Sequence, residues 1–174
     1  MPATKSSRSP ELPVKDAIRA KAAALGFDSV GFARAESGAV SRQGLRQFMA
    51  EGWYGDMDWM VDTADRRADP LVLWPEASTA IVLGMNYGPA RDPMAILEEP
   101  ELGAVSAYAQ TIRDYHDVVK KKLRQLARWI AESQDCGVKL FVDTAPLMEK
   151  PLAQRAGIGW QGNHTNLVSR EHGS

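Results

Sequence analysis

Three side chains stand where the sequence could support proton chemistry: Asp143, Tyr115 and His116. Asp143 closes a short apolar run, residues 138–142, in which Val138, Leu140 and Val142 alternate with Lys139 and Phe141. That alternation predicts a largely buried strand. A carboxylate where a buried strand meets a loop is partly shielded from water, and shielding favours the protonated form that a proton donor needs. The competing reading is that Asp143, with Thr144 beside it, only caps a short helix expected over residues 147–156. Tyr115 offers a hydroxyl donor, and a histidine such as His116 exchanges a proton near neutral pH. The plainer alternatives are a half-buried core tyrosine and a surface histidine at a helix start. Downstream, Gly157, Gly159 and Gly162 space Ile158, Trp160 and Gln161. The backbone there can take positive φ or approach a ligand closely.

The elements that must position these groups follow from periodicity. Val14, Ile18, Ala22 and Leu25 recur at helical spacing, with Gly26 where a C-terminal cap belongs. Residues 27–33 read as a strand with Val30 and Phe32 on one face. A short helix over 45–49 breaks at Gly52. Residues 79–87, TAIVLGMNY, are nearly continuous in apolar residues and predict a central strand. Residues 104–109 allow a further strand, and 88–101 a surface loop with one turn of helix. The longest helix is expected over 113–133, with Ile112, Tyr115, Val119, Leu123, Leu126 and Ile130 recurring as its apolar stripe. Lys120, Lys121, Lys122, Arg124 and Arg128 lie mostly outside that stripe, as a solvated face or a contact for nucleic-acid phosphates. The segment GWYGDMDWM, residues 52–60, is dense in large apolar groups and reads either as core or as the wall of a broad apolar pocket. Helices and strands alternate irregularly, so a sandwich with a mixed sheet flanked by helices is expected rather than a regular parallel one.

The stretch VDTAPLMEKPLAQRAGIGWQG resembles the signature of the epoxyqueuosine reductases, with support from GFDSVGFARA, GWYGDMDWM, IVLGMNY and RDYHDVVKKKLRQLA. The resemblance covers most of the chain. It implies the α+β fold class, a mixed sheet flanked by helices in a nitroreductase-like, cobalamin-binding module acting on tRNA that carries epoxyqueuosine, with two [4Fe–4S] clusters in the whole enzyme. It also implies Asp143 and Tyr115 as catalytic groups, and Tyr115, His116, Gly157, Gly159, Trp160 and Gly162 around the cofactor. Gly162-Asn163 stands where the family usually has Gly-Lys, and Ile112 where many relatives have glycine. On this reading residues 1–10 are a loose tail and 11–174 the N-terminal domain, without the cluster domain and helical repeats that follow it in the family. A corrinoid- or tRNA-binding module without chemistry is the alternative function.

Composition sets the remaining bounds. The 174 residues are 44% hydrophobic and 25% charged, enough for one globular domain with its own core. The formal net charge of −1 supplies no overall pull toward nucleic acid, so any tRNA contact must be local. A single cysteine, Cys136, excludes an intrachain disulfide and cannot hold an iron–sulfur cluster, which takes about four cysteine ligands. His164 and His172 lack zinc-ligand spacing, so no metal site is expected. No apolar run approaches the ~20 residues of a membrane span. A cytoplasmic, monomeric protein is the expectation.

Overall fold

The computed structural model describes residues 13–88, 92, 94–110 and 114–173. The expected tail at 1–10, Ile112 and the Arg113 start of the long helix lie outside these residues.

Two helices and one two-stranded ribbon make the core. Helix α1 (Val14–Ala24) buries Ile18 and Ala22, and α6 (Tyr115–Gln134) buries Leu126 and Ile130, each pair a product of the spacing seen in the sequence. The two helices meet on one face of an antiparallel ribbon, β1 (Ser29–Arg34) on β2 (Thr79–Gly84), with Ser29 opposite Gly84 and Arg34 opposite Thr79. Val30 and Phe32 of β1 and Ile81 and Leu83 of β2 pack on the cluster of Ile18, Ala22, Phe27, Leu126 and Ile130. The same-face expectation for Val30 and Phe32 holds. Between β1 and β2 the chain forms α2 (Ala39–Ala50), α3 (Asp58–Asp62), α4 (Ala64–Ala68) and α5 (Pro70–Leu73), with α4 packed on α2 and α5. Two 3₁₀ turns, at Ala95–Glu98 and Ala107–Gln110, lead toward α6. After α6 come α7 (Glu149–Arg155) and a small hairpin of β3 (Trp160–Gln161) and β4 (Leu167–Val168).

Glycines end three of the helices by one mechanism. After α1, the Gly26 N–H reaches Ala23 O and the Phe27 N–H reaches Ala22 O, with Gly26 at φ 81°. The same paired bonds close α2 at Gly52 (φ 66°) and α7 at Gly157 (φ 77°). This left-handed cap satisfies carbonyls that the helix leaves open, and glycine adopts it without strain. Gly31 acts differently: a side chain there would strike the backbone carbonyl and Cβ of Ala156. Its bare backbone lets the end of α7 lie against β1.

The α+β class holds, and the described sheets are small and antiparallel. Residues 138–142 are corrected from buried strand to an extended segment without ladder partners among the described residues. Val138 is 37% exposed and Val142 buried, so only the end of the run enters the interior. The segment is held by side chains instead: Lys139 lies over the Trp74 ring at 4.9 Å, and Gly137 lies beside the same indole. Without that strand β2 has β1 as its one partner among the described residues, so it is not the buried central strand its apolarity suggests. Residues 104–109 form no strand, and the 3₁₀ turn at Ala107–Gln110 occupies part of that stretch. In 52–60, Trp53 is 61% and Trp59 54% exposed, which overturns the core reading of that segment. Positive φ at Gly52 and Gly55 turns the chain sharply there. Among the described residues no helix is long and apolar enough to cross a membrane.

Candidate functional site

The first turn of α6 carries the candidate donors. Asp114 is its N-cap, with Oδ1 accepting from the His116 backbone N–H at 2.8 Å. The same oxygen lies 2.8 Å from His116 Nδ1. Those two contacts, the backbone one first, hold the Asp114 carboxyl below its usual range. They also fix the imidazole, so that Nε2 faces the Asp143 carboxylate at 3.7 Å. The Tyr115 ring stacks on His116 with centroids 4.0 Å apart, and its hydroxyl donates to Asp143 Oδ2 at 2.8 Å. Two residues adjacent in sequence thus converge on one carboxylate 27 residues or more away.

Burial and then the Asp143 hydrogen bond push the Tyr115 phenol up to about 12. A phenol raised above its ordinary 10.0 stays neutral, and its contribution to stability is complete below that pH and lost as pH rises through about 12. Tyr115 is therefore a hydrogen-bond donor throughout the neutral range.

Asp143 itself adopts φ 52°, a left-handed conformation that Asp tolerates better than most side chains. Its side chain is 58% exposed, so the shielding expected at the end of a buried strand is absent. The capping alternative also fails, because α7 starts at Glu149 with Met148 as its N-cap residue and no side-chain cap bond. The Asp143 N–H instead donates to Glu149 Oε1 at 3.2 Å. Burial, and next the neighbouring Asp143 charge, push the Glu149 carboxyl up from its ordinary value.

Two open cavities adjoin the end of the ribbon where Ser29 pairs with Gly84. One, of about 320 Å³, is apolar and aromatic, lined by Phe27, Met85, Tyr87, Tyr108, Tyr115 and Val142 among others. Tyr108 meets Tyr115 edge to face at 5.7 Å and Tyr87 at 6.4 Å, which builds a continuous aromatic wall beside the Asp143 cluster. The other, of about 380 Å³, is more polar and is lined by Ser29, Gly157, Gly159, Trp160, Ser169 and Arg170 among others. The structure therefore brings Tyr115, His116 and Asp143 together, and places Gly157, Gly159 and Trp160 on a separate cavity.

The glycines also have local reasons. Gly157 is the α7 cap. A side chain at Gly159 would strike the Val168 carbonyl across the small hairpin. Gly162 lies in the hairpin loop, where its N–H reaches Asn166 O at 2.9 Å and a Cβ would meet the His164 ring. Asn163, in the same loop, is exposed. The exposed Trp53 and Trp59 line neither cavity. Sequence reasoning missed Glu149, Tyr87 and Tyr108. The only signal for the tyrosines is their type, and for Glu149 there is none, since its role depends on the turn at Asp143.

Residues 67–144 match the family model described as Epoxyqueuosine reductase QueG, DUF1730. The epoxyqueuosine reductase of Synechococcus sp. is 36% identical over 165 residues, covering 92% of this chain and 49% of that protein. That of Pseudomonas aeruginosa is 40% identical over 152 residues, covering 86% of this chain and 42% of that protein. Among solved structures, an epoxyqueuosine reductase with a tRNA-Tyr epoxyqueuosine-modified stem loop superposes with a TM-score of 0.72 at 24% identity, over 92% of this chain and 42% of the other. The chain spans about half the length of the curated relatives it matches. In sequence over most of its length, and in fold, the chain is similar to part of the epoxyqueuosine reductases.

Proposed function

We propose that this chain is the N-terminal module of an epoxyqueuosine reductase, with residues 11–174 forming the domain where an epoxide on tRNA is opened. The observation that carries the reading is the Tyr115 hydroxyl on Asp143 Oδ2 at 2.8 Å, beside an apolar cavity. Cobalamin suits that cavity by chemistry, because the face of a corrin ring is broad and apolar and the wall of Met85, Tyr87 and Tyr108 is too. When bound, it would supply the reducing power for opening the epoxide. The chain's own residues do the rest. Tyr115 occupies Oδ2, which leaves Asp143 Oδ1 to carry a proton to the oxygen freed from the ring. His116, oriented by Asp114, faces Asp143 with Nε2 at 3.7 Å, from where it would return a proton through one intervening water. The iron–sulfur clusters do not fit these residues: Cys136 is the single cysteine of the chain, and cluster ligands must come from outside it.

The aromatic wall can be tested by titrating cobalamin into the protein and following its visible spectrum. A Tyr87→Asp variant, which puts a charge on a half-exposed wall position, is expected to weaken the spectral response by about tenfold or more. Equal binding by parent and variant would place the cofactor elsewhere.

A tRNA partner is supported by the solved relative with a modified stem loop and by the basic face of α6. Lys121, Arg124 and Arg128 are exposed there. Lys122 is otherwise engaged, since its Nζ donates to Gly26 O at 3.1 Å at the end of α1. Replacing Lys121, Arg124 and Arg128 together by Ala should weaken RNA binding regardless of sequence and flatten its dependence on salt, by about 0.7 to 0.9 in the log–log slope for each phosphate no longer neutralised. An unchanged slope would remove this face from the RNA interface.

A further inference from the structure

The cluster at α6 contains one group that the proposed mechanism does not use. Glu149 is the first residue of α7, partly buried, and holds its carboxylate against the Asp143 backbone rather than toward solvent. An acid placed beside another acid gains nothing from their charges, so packing charge on charge is no reason for it to be there. The geometry supplies one. Asp143 sits at φ 52°, a left-handed conformation that Asp tolerates but a free loop does not hold by itself, and its N–H points at Glu149 Oε1 at 3.2 Å.

We infer that Glu149 is a positioning residue for Asp143: by accepting the Asp143 N–H it fixes the left-handed turn that presents the Asp143 carboxylate to the Tyr115 hydroxyl. This rests on the reading of Asp143 as the acid. The chain of contacts is continuous, from Glu149 Oε1 to the Asp143 N–H and from Asp143 Oδ2 to the Tyr115 hydroxyl. It joins the start of α7 to the start of α6 across the loop. Burial of Glu149 agrees with this, because its raised carboxyl pKa means that the acceptor is kept from water at a cost that a mere surface acid would not bear.

The test reads the Tyr115 phenol, whose environment comprises Asp143, Asp114, Tyr108 and the stacked His116. With ring-labelled tyrosine, NMR can follow each of the four phenols of the chain separately. Tyr115 should ionise at about 12 in the parent and at lower pH, with burial still holding it above 10.0, in Glu149→Ala and in the bulkier Glu149→Leu. Glu149→Gln keeps an acceptor oxygen and should restore the parent value. In the complete enzyme the Ala variant should lose kcat by about 100-fold with little change in KM, and Gln should recover it. An unmoved Tyr115 phenol in the Ala and Leu variants would overturn the proposal. If neither variant folds, amide exchange in the parent decides: a protected Asp143 N–H supports the latch, and exchange at the rate of a free loop refutes it. The phenol and amide-exchange readouts concern position alone, so they stay valid even if Asp143→Asn proves fully active and the acid role, with the kcat effect that depends on it, fails.

Discussion

Asp143→Asn in a complete enzyme carrying this chain is expected to lower turnover by about 100- to 10,000-fold while cobalamin and RNA binding stay at parental levels. Opening a C–O bond of an epoxide leaves an oxygen that needs a proton, and the amide of Asn is too weak an acid to give one. The shape is kept: Asn Oδ1 can still accept the Tyr115 hydroxyl now bound at 2.8 Å, and the backbone N–H can still reach Glu149. Loss of rate with binding retained is the signature of a group needed only in the transition state. The phenol gives an internal control. The second cause of its rise to about 12 is the Asp143 bond, so removing the charge should let Tyr115 ionise at lower pH while burial still keeps it above 10.0. Unchanged turnover would strip Asp143 of the acid role, and a loss confined to KM would make it a binding group.

The parts of the fold governed by local spacing are legible in the sequence. Ile18 and Ala22, like Leu126 and Ile130, are buried because three- and four-residue steps stack on one helix face. Gly26, Gly52 and Gly157 mark helix ends because only a residue without a Cβ takes the left-handed cap cheaply. What fails depends on partners that no local pattern specifies. The alternation in residues 138–142 is the same for a strand and for an extended segment anchored on Trp74, and ladder partners decide between them. The apolar residues of 52–60 have the composition of a core, yet the positive φ at Gly52 and Gly55 belongs to turns that leave Trp53 and Trp59 exposed. In the site, the convergence of Tyr115 and Asp143 is implied by the family resemblance and seen in the structure. The resemblance also assigns Gly159 and Gly162 to the cofactor, whereas the bare backbone at each makes room for Val168 or His164 of the same hairpin. Glu149 could not be found in advance, because its acceptor role exists only once Asp143 turns left-handed.

Leu126→Ala should destabilise the protein by about 2 to 5 kcal/mol, read from the shift of a urea midpoint at constant slope. Leu126 is 2% exposed, at the centre of the cluster that joins α6 to α1 and to the β1–β2 ribbon. Truncation removes its methyl groups from water-free packing and leaves a void that the rigid neighbours fill only in part. The upper part of the range applies if the surrounding Ile18, Phe27 and Ile130 cannot move inward. The consequence reaches the site, because Tyr115 and His116 are the opening residues of the same helix. Eleven residues at 1.5 Å each separate Leu126 from Tyr115, a rigid lever of roughly 16 Å. A helix loosened at Leu126 should therefore disturb the Tyr115 hydroxyl on Asp143, and the phenol should ionise below its parental value of about 12 even under conditions where the variant remains folded. A stability loss below about 0.5 kcal/mol would place the α6 stripe outside the core. A large loss with an unmoved phenol would instead show that the α6 N-terminus is held by Asp143 and its own cap, independently of the packing beneath it.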